Sequence, residues 1–215
     1  MKGALAGAAL ALLVLAAGCD RLVTPRRPLA QSAWEEGLTL AYEDPSLAPE
    51  LRLERRQQVR VQASRPTADG LQVTKTFTTL AGQWEIRTLE KDGGVRFLTG
   101  SQGAVELLPG GFPDRVDRWE SRGLYHWVVG RAVADLPGVC LPDLAHATGV
   151  WVESAPLDGP GVRTRTLYLP ELGEAETRTW TGGRWVTTNI LVARGFTDLP
   201  KHALTAASPT PGSTP

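Results

Sequence analysis

Gly161-Val162-Arg163-Thr164-Arg165-Thr166-Leu167-Tyr168-Leu169-Pro170-Glu171-Leu172-Gly173-Glu174-Ala175-Glu176-Thr177-Arg178-Thr179-Trp180-Thr181-Gly182-Gly183-Arg184-Trp185 is the stretch that decides the fold class. Its residues alternate with period two and are rich in Thr, Arg and aromatics, the signature of strands. Gly182-Gly183 supplies a two-residue loop, because glycine takes positive φ without steric cost. Closing that loop puts Trp180 opposite Trp185, and such a cross-strand aromatic pair stabilises a hairpin by roughly 0.2–1 kcal/mol. One hairpin earlier the chain turns near Pro170-Glu171. Arg163 and Arg165 are then expected to share a solvent face with Glu174 and Glu176. Val162, Thr164, Thr166 and Tyr168 face the other way.

The same pattern extends outward from this core. Arg52 to Gln62 reads as extended, with Val59 and Val61 on one face. Leu71 to Leu80 is rich in Thr, Val and Phe, and Trp84 to Leu89 places Trp84, Ile86 and Thr88 on one side. Asp92-Gly93-Gly94 marks a tight turn, and Val95 to Leu98 returns from it. No amphipathic helix of ordinary length appears; Pro142 to Thr148 allows one short turn. The expectation is an all-β fold, an antiparallel meander of about nine or ten strands, curled into a barrel or half-barrel or folded as a sandwich. No repeat of fixed period is present.

Composition bounds the function. Of 215 residues, 21% are charged and 42% hydrophobic, as in globular chains, and Gly 23 and Pro 16 imply many turns. Lys+Arg and Asp+Glu are both 23, so no basic surplus points to nucleic acid. Two cysteines, Cys19 and Cys140, exclude a disulfide framework.

The first residues carry an address. After Met1-Lys2-Gly3 comes an unbroken apolar run of 14 residues, Ala4 to Ala17, too short for a membrane span of about 20. It matches the h-region of a secretory signal. Leu15-Ala16-Ala17-Gly18-Cys19 then resembles the lipobox of bacterial lipoproteins, with Ala16 where Leu is usual. That resemblance implies cleavage after residue 18 and acylation of Cys19 by chains such as palmitate. Several chains hold firmly, since each buried CH₂ contributes about 0.8 kcal/mol. The implied location is the bacterial cell envelope, facing the periplasm or exterior. Asp20 inclines such a protein toward the inner membrane. Residues 19–33 read as the lipidated Cys and a tether, in which Asp20 to about Ala33, with Pro25, Arg26, Arg27 and Pro28, reaches up to about 45 Å. Residues 34–202 form the β-rich domain, and 203–215 read as a disordered tail.

Chemistry is sparse. Asp143 and His146 form a D-x-x-H pair that Asp135 could join, but two recognisable ligands in a Pro-rich loop are too few for a zinc site, which needs three or four in a compact array. Cys140 sits among apolar neighbours, which do not activate a thiol. His126 lies on the strand face opposite Tyr125 and Trp127. No nucleophile elbow, phosphate loop or dinucleotide fingerprint is present. No catalytic residue, metal or cofactor is expected. Seven tryptophans stand out, and Trp84, Trp127, Trp180 and Trp185 are candidates for ligand binding, since indole joins a large flat face to one N–H donor. The segment Leu167 to Gly173 is similar to an element of uncharacterised periplasmic β-rich lipoproteins, and the outline is similar to lipoprotein carriers with half-barrel folds. The expected function is a non-catalytic binding module for an envelope protein or cell-wall partner. The alternative is a carrier for lipid or another apolar ligand. A hydrolase would need Asp143 and His146 joined to a nucleophile or metal in one cleft.

Overall fold

The computed structural model describes residues 34–99, 103–136, 144, 146–170 and 172–196. Cys19, Asp20, the tether, the tail, His202, Cys140 and Asp143 lie outside the described residues.

The described residues form twelve strands in one antiparallel sheet, nearly closed into a barrel. In chain order they are β1 (Thr39–Glu43), β2 (Gln57–Thr67), β3 (Gly70–Thr79), β4 (Gly82–Lys91), β5 (Gly94–Thr99) and β6 (Gly103–Leu108), then β7 (Arg118–Ser121), β8 (Leu124–Val133), β9 (Thr148–Pro156), β10 (Thr164–Leu169), β11 (Gly173–Thr181) and β12 (Arg184–Gly195). One short helix, α1 (Pro49–Glu54), connects β1 to β2. The all-β meander is as expected. A single sheet of twelve strands replaces the nine or ten anticipated and rules out a sandwich. Arg52 to Glu54 are helical rather than extended: Pro49 opens the turn, and the Arg52 guanidinium donates to Leu47 O and Pro45 O at 2.7 Å each.

The topology is two six-strand meanders, β1–β6 and β7–β12, joined where β1 pairs with β12. The consecutive strands β6 and β7 do not form a ladder; they are the two edges. The seam between them is bridged by side chains. Trp119 Nε1 donates to Leu107 O at 3.1 Å, and Ser121 Oγ donates to Glu106 O.

The hairpin at Gly182-Gly183 closes as the sequence predicts. Both glycines have positive φ (58° and 84°), and Trp180 pairs with Trp185. The charged face differs. A bulge inserts Ala175 into β11, so Leu167 opposes Glu176 while Tyr168 opposes Glu174. One extra residue turns the following side chains to the other face. Glu176 stays with Arg163 and Arg165 outside, and Glu174 turns with Tyr168 to the interior. Alternating inward residues such as Leu40, Val59, Val61 and Val73 build the main core. A second cluster of Leu108, Phe112, Trp119, Val150 and Val152 lies beneath the seam.

Candidate functional site

Between these packed regions the barrel holds a cavity of about 160 Å³ that is partly open to solvent. Most of its wall is apolar, with Leu40, Val59, Phe77, Ile86, Val95 and Leu108 among the lining side chains. Three charged side chains enter it: Lys75, Glu90 and Glu174.

Strand alternation places each of them. On β3, Val73, Lys75 and Phe77 share a face, and Val73 is fully buried, so Lys75 must point inward. On β4, Ile86, Thr88 and Glu90 form the matching inward row. Lys75 pairs in register with Ile86, not with Glu90. Its flexible stem reaches along the barrel to bring Nζ within 3.5 Å of Glu90 Oε1. The same ammonium stands 3.5 Å from the ring centroid of Trp34, a cation–π contact. Glu174 arrives through the Ala175 bulge. Its backbone carbonyl accepts from the Tyr42 hydroxyl at 3.0 Å, and its carboxyl is hydrogen-bonded by the Tyr168 hydroxyl.

Burial dominates the electrostatics. It pushes the Glu90 carboxyl up to about 7, against the opposing pull of Lys75 and of the Trp34 indole. It pushes the Lys75 ammonium down, opposed by Glu90 and Glu174. Glu174 is raised by burial, offset by Lys75 and Tyr168, although its side chain is exposed at the cavity. Both lining tyrosines are raised by burial and then by Glu174. Thr88 Oγ1 is buried without a hydrogen-bond partner, and Trp34 Nε1 and Glu90 Oε2 are buried beside one another without a well-formed hydrogen bond. Thr88 and Glu90 are each only 2% exposed. Unsatisfied buried polar atoms are rare in native proteins, so three around one cavity mark it out.

None of the four candidate tryptophans lines this cavity. Trp84 stacks on Phe77 with centroids 5.9 Å apart, exposed near the β3–β4 turn. Trp180 and Trp185 meet edge to face at 5.2 Å on the hairpin tip. Trp127 faces outward, paired with Glu153 and close to Tyr125. Register lines up Arg118, Trp127, Glu153, Arg165, Arg178 and Thr187 across six strands of the outer wall. Glu153 binds both Arg163 and Arg165, and Glu176 binds Arg178 at 2.6 Å and Thr187 at 2.8 Å. Arg165 lies 4.6 Å from the Trp185 ring and Arg178 lies 4.7 Å from the Trp151 ring.

The other candidates separate. His126 is stacked on Trp119 and bonded through Nδ1 to Ser154 Oγ at 2.7 Å; burial lowers its pKa, offset by Ser121 O. His146 and Asp135 are exposed to solvent. Among the described residues no cluster of His, Cys, Asp and Glu could hold a metal, and no helix is long and apolar enough to cross a membrane. The cavity residues were missed in the sequence because nothing in a strand pattern says that a lysine bends along the barrel axis. The available signal was Lys75 between the inward Val73 and Phe77.

No family model matches the chain, and no curated protein matches its sequence. Two solved structures are similar. One is a Bacteroides fragilis protein described as exported, with a YmcC-like fold: 13% identity, 75% of this chain and 96% of that chain covered, TM-score 0.50. The other is a Parabacteroides distasonis protein described as a lipoprotein: 11% identity, 76% and 97% covered, TM-score 0.45. At such identities the first likeness is one of fold alone.

Proposed function

We propose that this protein is an envelope lipoprotein, anchored through acylated Cys19, whose barrel is a non-catalytic module for binding a small ligand. The anchor rests on the lipobox-like Leu15 to Cys19 and its apolar leader. The binding reading is carried by one observation: a mostly apolar cavity holding a buried ion pair and three polar atoms without a well-formed hydrogen bond. Apolar walls with a few convergent polar groups are the usual make-up of a ligand site. At about 160 Å³ the space suits a compact ligand rather than a lipid tail, since an apolar cavity of about 150 Å³ takes a benzene-sized molecule.

A second reading, docking of an envelope protein or cell-wall partner, is favoured by the outer wall. There Trp127, Trp151, Trp180 and Trp185 stand among Arg118, Arg163, Arg165 and Arg178, residue types that dominate binding hot spots. Native mass spectrometry of the full chain, extracted in detergent, tests both. A small adduct lost on denaturation supports the cavity. A protein-sized or polymeric adduct lost in Trp180→Ala supports the outer wall. A bare mass, with no thermal shift in a small-molecule screen, overturns the ligand-binding reading.

A further inference from the structure

The geometry points to a small organic cation, an ammonium-bearing molecule of about benzene size, as the ligand of the barrel cavity, with Glu174 as its counter-ion. The inference rests on the ligand-binding reading and adds the ligand's chemical class. The charged side chains lining the cavity are one ammonium and two carboxylates. Lys75 is already engaged on two sides, by Glu90 Oε1 at 3.5 Å and by the Trp34 ring at 3.5 Å. Glu174 feels the charge of Lys75 and accepts from the Tyr168 hydroxyl. Glu174 is itself exposed, so a cationic ligand in the pocket can meet its carboxyl without displacing Lys75 from Glu90.

Two further observations select a cation over other ligands. Glu90 Oε2 is buried beside the Trp34 indole without a well-formed hydrogen bond, so a donor on the ligand can still satisfy it. Tyr42, Phe77 and Tyr168 add aromatic faces, whose negative quadrupole attracts an ammonium. A carboxylate ligand would meet two carboxylates and an ammonium already bound. The unpartnered Thr88 hydroxyl can donate to or accept from a second polar group on the ligand.

Calorimetric titration of the full chain in detergent with three near-isosteric probes tests the inference: isobutylammonium, isobutyrate and isobutanol. Isobutylammonium is expected to saturate one site per chain. Glu174→Gln is expected to weaken that binding by about tenfold or more, with an unchanged melting temperature, because its side chain is open to the cavity. Binding of isobutyrate or isobutanol in preference to the ammonium overturns the cation while leaving the barrel a ligand module. Equal binding of isobutylammonium by the wild type and Glu174→Gln overturns the counter-ion role. Silence of all three probes, where native mass spectra still carry a small adduct, overturns the cation alone; silence with a bare mass overturns both readings.

Discussion

Lys75 and Glu90 spend their charges inside a barrel that valine and leucine would fill at lower cost. Taking two ions out of water costs several kcal/mol each, and their attraction barely repays it. Removing one partner is worse, because it strands the other. Glu90→Leu is therefore expected to lower unfolding free energy by about 3–5 kcal/mol. The double variant Lys75→Met/Glu90→Leu should return to within about 1 kcal/mol of the wild type. Urea titrations of the three proteins check this; a double variant as unstable as the single one would show that the pair itself holds the fold. The pH dependence has a definite sign. Burial raises Glu90 from 4.5 to about 7, so the folded state holds a proton that the unfolded chain releases between those values. Its contribution to stability is present in acid and is lost as pH rises through about 7. Lys75, lowered by burial, acts oppositely and adds stability as pH rises toward its ordinary 10.5. The stability of the wild type relative to the double variant should accordingly increase as pH falls from about 7 to 4.5. A flat difference curve there would remove the buried carboxyl as its source.

At the level of elements, the sheet depends on a few close approaches that only glycine allows. Gly149, near the start of β9, lies against β10. A Cβ there would stand 2.7 Å from Leu167 Cδ1 and from the Tyr168 carbonyl oxygen. Leu167 and Leu169 are themselves fixed in the main core, so neither neighbour can yield freely. Gly149→Ala is expected to destabilise by about 1–3 kcal/mol, the cost of overpacking. Gly182→Ala strains only the exposed hairpin tip, where φ is 58°, and should cost about 1 kcal/mol. Thermal denaturation of both variants checks the order; a milder effect at Gly149 than at Gly182 would contradict this packing. Such features mark the boundary of what the sequence makes legible. The Gly182-Gly183 turn and the Trp180–Trp185 pair follow from local rules, since loop length and alternation fix register by themselves. The Ala175 bulge does not. Glu174, Ala175 and Glu176 read as an unbroken alternation, yet the bulge sends the two glutamates to opposite faces. With them went the cavity's second carboxylate, and so the site. The inward lysine was readable in Val73-Thr74-Lys75-Thr76-Phe77; its partner four positions along the barrel was not, because side-chain reach is no part of a strand pattern.

At the level of the whole molecule, stability is expected to be uneven around the barrel. Pairing of β1 with β12, the first strand with the last, encloses both in continuous ladders. The edges fall instead between neighbours in sequence. Edge strands invite pairing with other chains, and short length is one defence. Here β6 has 6 residues and β7 has 4. The seam is held by Trp119 Nε1 on Leu107 O, by Ser121 Oγ on Glu106 O, and by the cluster of Phe112 and Trp119 beneath. Amides at such an edge open locally at lower free energy than those in the centre of a sheet. Hydrogen exchange should therefore be fastest in β6 and β7 and slowest in β1, β2 and β12. Trp119→Phe keeps an aromatic ring against Phe112 but deletes the indole donor. Losing that one bond is expected to cost about 0.5–1.5 kcal/mol. Its effect on exchange should be confined to the seam, speeding residues 103–108 and 118–121 while leaving β1 and β12 unchanged. Equal protection of β6 and β1 in the wild type would mean that the seam is as strong as the ladders. An effect of Trp119→Phe spread evenly over all strands would mean that the barrel opens only as one unit, with no weak edge.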